Sequence, residues 1–354
     1  MSTVRPRAPR GSMSARATSF TLALAVLASL GLIAGAAQAE GEDCPTWFPD
    51  LQCDREARFD NTYMPMSMPY IFEDPFITTG ANLVGIWHRS RENGAFQPTD
   101  VGVMALQLRV ALTDKLALIA TKDGLTFMDH DTKVRDIGGG ADRRAVLKDD
   151  VGFMNMTLGF KYAMIVDEEN RFILSPAIRY EIPLGNDEVF QGRGDGIFIP
   201  SASFLWGPVD NLNLIGGMGG NVPVDSKKES TSLFYNMHIQ YVLAEMFVPF
   251  MELSGMHWTN SGNGGLKLNT SHITGTDANL SGAQALLRTG PFEGAEVANL
   301  GSEGIKGENL VMLGWGFRVP VTDQLVFGLS YERAVAGREH FTDQRLTAMA
   351  TFEY

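Results

Sequence analysis

The chain has 354 residues, 44% hydrophobic and 20% charged, with a formal net charge of −12. That acidic balance argues against nucleic-acid binding, which requires a basic footprint. The length allows one large domain or two small ones.

The first forty residues read as an export signal. Arg5, Arg7, Arg10 and Arg16 stand with no acidic residue among them. An apolar run from Phe20 to Ala34 follows, and then Ala37-Gln38-Ala39. A basic start, a short apolar core and an A-x-A site predict a signal peptide over 1–39, removed on secretion. The apolar core falls short of the roughly 20 residues a spanning helix needs. No further apolar helical span follows, which leaves a soluble periplasmic protein or an outer-membrane barrel.

Residues 40–79 differ in kind. They hold Pro45, Pro49, Pro65, Pro69 and Pro75, several aromatics, and both cysteines, Cys44 and Cys53. In an oxidising compartment that pair is expected to close a small disulfide loop. Met64-Pro65-Met66-Ser67-Met68-Pro69 cannot form a regular ladder, because proline lacks the donor. The segment is expected to be an irregular periplasmic extension or a partial plug entering the barrel.

From residue 80 onward, apolar and polar residues alternate in segments suited to strands. The expected strands are 80–90, 101–112, 115–127, 150–165, 171–183, 196–208, 212–222, 231–243, 247–259, 309–321, 325–336 and 343–354. Five tight turns join them in alternation with longer, polar, Gly-rich loops. The turns are Leu112–Leu116, Val166–Asn170, Val209–Leu212, Ala244–Met246 and Val321–Leu325; Asp and Asn suit such reversals by bonding the local backbone. The loops are roughly 91–100, 129–149, 185–195, 223–229, 260–307 and 337–342. In an outer-membrane barrel, short turns face the periplasm and long loops face outside. An even count with both ends on the short-turn side fits that rule. Ten or fourteen strands stay open, since 260–307 is long enough to hide a hairpin.

Each strand has one face suited to lipid. Segment 171–183 sets Phe172, Leu174, Ile178, Tyr180 and Ile182 against Ser175, Arg179 and Glu181; segment 231–243 sets Leu233, Tyr235, Met237, Ile239 and Tyr241 against Asn236, His238 and Gln240. A period of two is what a strand between lipid and lumen requires. The expected fold is therefore an all-β, transmembrane, antiparallel up-and-down barrel of about twelve strands, occupying 80–354. The clustered glycines of 212–222 fit either face poorly and suggest a bend or a close backbone approach.

The last strand alternates Leu346, Ala348, Ala350, Phe352 and Tyr354 with polar neighbours and ends on an aromatic residue. This pattern resembles the C-terminal assembly signal of bacterial outer-membrane barrels. With the strand pattern and the stretch ALQLRVALTDKLALIATKDG from Ala105 to Gly124, the chain resembles the group of outer-membrane barrels that includes porins and channel proteins linked to aromatic-compound degradation. That resemblance implies an outer-membrane location and contact with the assembly machinery through Tyr354. It also implies passive transport of small solutes, with no cofactor, and it carries over no catalytic or binding residue.

Parity along the strands places Arg109, Lys161, Arg179, Glu181, Glu252, Arg318 and Glu332 on the inner face. In a pore they would set the field a solute crosses. The competing reading is a salt-bridge network filling a narrow barrel: about eight strands leave an interior filled by side chains, and sixteen or more hold water. His257-Trp258-Thr259 offers a third reading, a lipid-modifying acyl hydrolase with His257 as base toward the Thr259 hydroxyl. Such enzymes pair His-x-Ser, and the threonine departs from that; an interfacial aromatic belt explains the same residues. A structural or adhesin-like surface barrel also stays open. Asp129, Asp131 and Asp136 lack the Gly and terminal Glu of an EF-hand, so no metal site is expected. Arg193-Gly194-Asp195 is read as turn chemistry. The long loop 260–307, with a helix-like stretch at 281–287, is expected to fold over or into the barrel.

Overall fold

The computed structural model describes residues 62–91, 99–130, 150–244, 246–268, 278–279, 290–337 and 340–353. The predicted signal peptide, the cysteine pair, the 281–287 stretch, Asp131, Asp136 and Tyr354 lie outside the described residues.

Among the described residues the sheet is a closed antiparallel barrel of twelve strands. They are β1 (Gly80–Arg89), β2 (Thr99–Ala111), β3 (Leu116–Lys122 and Leu125–His130), β4 (Asp150–Phe153, Met156–Tyr162 and Ile165–Asp167) and β5 (Phe172–Ile182). There follow β6 (Ile197–Val209), β7 (Leu212–Pro223), β8 (Thr231–Tyr241), β9 (Val248–Asn260), β10 (Asn309–Thr322), β11 (Leu325–Ala336) and β12 (Gln344–Glu353). Each strand pairs with its sequence neighbours, and β1 closes on β12 from Gly80↔Glu353 to Arg89↔Gln344. Closure leaves no sheet edge. Among the described residues of 260–307, Lys267–Leu268 pairs with Ala278–Asn279 in a two-stranded sheet of its own, which adds no strand to the barrel.

The short turns and long loops fall at opposite ends, as the strand count required. In the β6–β7 turn Asn211 adopts φ 66, a left-handed conformation that Asn tolerates better than most residues. Along β5 and β8 the expected outward rows are partly or fully exposed, while Ser175, Arg179, Glu181, Asn236, His238 and Gln240 are buried.

Two strands are interrupted. In β3, Gly124 takes φ +107, and the register against β2 slips between Leu108↔Ala120 and Met104↔Leu125. The Asp123 carboxylate accepts the Leu106 N–H at 3.0 Å, standing in where the ladder is broken, as bulges do. In β4 one break falls at Ala163–Met164 and the other at Asn155, whose Oδ1 accepts the Gly185 and Gly192 N–H groups at 3.1 and 2.8 Å. The glycines of β7 admit neighbouring rings: Phe204 lies across Gly216, and Phe72 comes within 3.3 Å of where a Cβ on Gly217 would stand.

The apolar core lies inside the barrel. Residues 62–76 pair with no strand and run through the interior, where Met64, Met66, Met68, Tyr70, Ile71 and Phe72 are buried. At the long-loop end, Phe292, Val297, Leu300 and Ile305 fold inward and join the same cluster.

Candidate functional site

The site is the inner wall and what it grips. All seven inner-face residues named from the sequence are buried, and most meet the inner segment.

At the short-turn end Arg109, on β2, forks onto Glu73: Nη2 donates to Oε1 at 2.6 Å and Nε to Oε2 at 3.2 Å. A bidentate guanidinium–carboxylate pair is among the stronger charge-assisted contacts. Lys161 on β4 donates to Glu73 Oε2 at 3.2 Å, to Asp74 Oδ1 at 2.9 Å and to the Asp74 carbonyl at 3.0 Å. Further up, Arg179 on β5 donates to the carbonyls of Tyr70 (3.1 Å) and Ile71 (2.9 Å). Arg318 on β10 donates to the Met64 carbonyl at 2.6 Å.

The wall acids are held differently. Glu252 on β9 accepts the Met66 and Ser67 N–H groups at 2.8 Å each, and also the Ser67 hydroxyl; His238 Nδ1 lies 2.6 Å from its Oε1. Glu181 pairs with Lys122 at 2.8 Å and accepts from Asn155 at 2.7 Å. Glu332 pairs with Arg345 at 3.1 Å, and the same guanidinium holds Glu296 of the inward loop.

Sequence reasoning missed Glu73, Asp74, Lys122, His238, Arg345, Glu293 and Glu296 as participants in this network. Strand parity marks Arg345 and His238 as inward. It cannot mark Lys122, which the bulge between Ala120 and Lys122 turns to the interior.

At the long-loop end, hydrogen bonds fasten the inward loop. Glu293 accepts from the Ser230 hydroxyl and the Ser302 amide at 2.8 Å each, and from the Leu300 amide at 2.8 Å. Burial still raises its carboxyl above the usual carboxylate range. Arg193 donates to the Leu300 carbonyl at 2.7 Å, Tyr180 donates to the Asp195 carbonyl at 2.6 Å, and Gly194 takes φ +71. The Arg193-Gly194-Asp195 tripeptide is thus built into loop packing. Between the inner segment and the inward loop a cavity of about 20 Å³ remains, bordered by Tyr70, Lys122, Glu181, Trp258 and Glu296. That is room for about one water.

In the β7–β8 loop, Glu229 is packed against Gly194. Burial first, and then the charge of Glu181, push its carboxyl up to about 8; Arg193 and Lys122 pull the other way, and Asp195 adds to the rise. Relative to its ordinary 4.5, the folded state binds this proton more tightly. The stabilisation is complete below the ordinary value and is lost as pH rises toward about 8. The barrel should therefore unfold at lower temperature at about pH 9 than at about pH 5, and Glu229→Gln should narrow that gap. An unchanged gap in the variant would assign the pH dependence to other groups.

His257 is on the outer face of β9, its Nδ1 2.6 Å from Asn309 Oδ1. The Thr259 hydroxyl donates to the Thr231 carbonyl at 3.3 Å. Trp258 between them is buried inside, its ring centroid 4.4 Å from that of His340.

No family model matches the sequence, and none of the curated proteins matches it. Solved structures do. An outer-membrane channel of Pseudomonas putida F1 is 12% identical with a TM-score of 0.52, covering 82% of this chain and all of that one. The NanC porin (7%, TM-score 0.43, 77% of this chain and 100% of that one) and the KdgM porin (7%, 0.40, 78% and 99%) are more distant. At 12% identity the first likeness carries the fold, and it agrees with the barrel seen here.

Proposed function

We propose that this chain is an outer-membrane channel for small solutes, held here in a closed state. One observation carries the reading. The twelve strands close on themselves without residues 62–76, and the segment that fills them is fastened by side-chain contacts and not by ladder pairing. Such a filling can shift without breaking the barrel, and its departure would leave a wall lined by charged and polar groups. The likeness to a solved outer-membrane channel supports the same reading.

The test is planar-bilayer recording of the purified, folded protein. Discrete current steps support a channel that opens intermittently. Silence from folded protein, with the inner segment confirmed in place, would favour a structural surface barrel.

The outer face gives a second check. Leu253, midway along β9, is 42% exposed. If this belt faces lipid, Leu253→Arg should cost about 2–4 kcal/mol of folding stability in lipid vesicles. A cost well below that would argue against burial of this face in a bilayer.

A further inference from the structure

We infer that Arg109, Lys161, Arg179 and Arg318 form a binding site for a solute that carries a carboxylate on an apolar body. In the closed state the chain's own Met64–Phe76 segment occupies it: Met64 meets Arg318, Tyr70 and Ile71 meet Arg179, and Glu73 and Asp74 meet Arg109 and Lys161. The inference rests on the channel reading and names the class of solute.

Withdrawal of the inner segment would leave some wall charges paired and strip others of their partners. Glu181 keeps Lys122, Glu332 keeps Arg345, and Glu252 keeps His238. The four bases keep much less. The ion pairs of Arg109 and Lys161 are to Glu73 and Asp74. Arg179 retains Thr121 and Ser201 hydroxyls at 3.3 and 3.4 Å, both neutral, and Arg318 retains the Met349 sulfur and the nearby charge of Glu252 on the wall. Even with the segment in place, Arg179 Nε and Arg318 Nε and Nη1 have no hydrogen-bond partner among the described residues. Glu353 shares the register partner Gly80 with Arg109. With Glu252 it offsets two of the four positive charges, and the excess that remains is positive.

A buried charge without a partner is expensive. A wall with this excess therefore favours an anion in place of the segment, and Arg109 already presents the fork that suits a carboxylate.

Residues 72–76 also cover an apolar part of the wall. Phe72 and Phe76 flank the acids and pack against Ile173, Leu205 and Ile215, while Ser175 donates to the Pro75 carbonyl at 2.6 Å. Withdrawal of Phe72–Phe76 would open an apolar patch beside the bases. Two carboxylates between two aromatic rings thus act as an internal competitor for the solute.

The test uses the full chain, folded in detergent, with benzoate as probe and benzylammonium as its cationic counterpart. Titration calorimetry should show Glu73→Gln with Asp74→Asn binding benzoate about tenfold more tightly than the native chain. Adding Arg109→Gln and Lys161→Gln should remove the gain. Equal gain for benzylammonium, or no gain for benzoate, overturns the site. If the double variant does not fold, Asp74→Asn alone should give a smaller gain in the same direction, and its absence likewise overturns the site. Bilayer reversal potentials separate this from the channel reading. A variant that conducts but prefers cations overturns the site and keeps the channel; one that binds benzoate without conducting upholds the site and removes the channel.

Discussion

Oxidation of a Ser67→Cys, Gly314→Cys variant is expected to silence the barrel, and reduction to restore current steps. A Cβ built on Gly314 would stand 2.9 Å from Ser67 Oγ, so the new side chains meet without a backbone shift of the size that forbids a disulfide. The added Cβ also lies 3.0 Å from Glu332 Cγ, so that buried side chain must shift by a few tenths of an ångström. Cys44 and Cys53 should be changed to serine so that one pairing is available. The bond would tie the middle of the inner segment to β10, beside the grip of Glu252 on Met66 and Ser67. Single-channel recording before and after dithiothreitol reads the result. Equal current in both states would mean that solute passes with the segment in place, and the gate would then have to be the inward loop.

Arg345→Ala should be the most destabilising single change at the long-loop end. Its guanidinium joins Glu332 of the wall to Glu296 of the inward loop, and all three side chains are fully buried. Without it two carboxylates face each other in a water-poor interior. Removing one partner of a buried pair typically costs about 3–5 kcal/mol, because the charge left behind has lost its solvation without compensation. The loss is measurable by urea unfolding or by the temperature at which the folded band disappears on electrophoresis. Glu296→Gln in the same background should recover part of it by removing the second charge. The inward loop should also release more readily, lengthening open times in bilayers. A variant as stable as the native chain would mean that Glu332 and Glu296 take up protons or water with little penalty.

The barrel was legible in the sequence because its determinants are local. A period of two decides which side chains share a face, and Asp and Asn at tight turns decide where the chain reverses. Turn and loop lengths in alternation then decide which ends neighbour each other. Arg109, Arg179, Glu252 and Arg318 could be placed inward from parity alone, with no knowledge of what they would meet.

What they meet was decided by tertiary structure. Glu73 lies 36 residues before Arg109 in the chain, and Met64 lies 254 before Arg318. Met64, Met66 and Met68 do alternate, but Pro65, Pro69 and Pro75 lack the donor a ladder needs, so the pattern does not say what residues 62–76 would meet. Lys122 reaches the interior because the bulge resets parity. Residues 290–305 fill the mouth because Phe292, Val297 and Leu300 bury against a wall that exists only once β1 has closed on β12. Alternation along a strand is set by backbone geometry within a few residues. Partner choice inside the barrel is set by which buried charges would otherwise stand unpaired, and that follows from the closed three-dimensional arrangement.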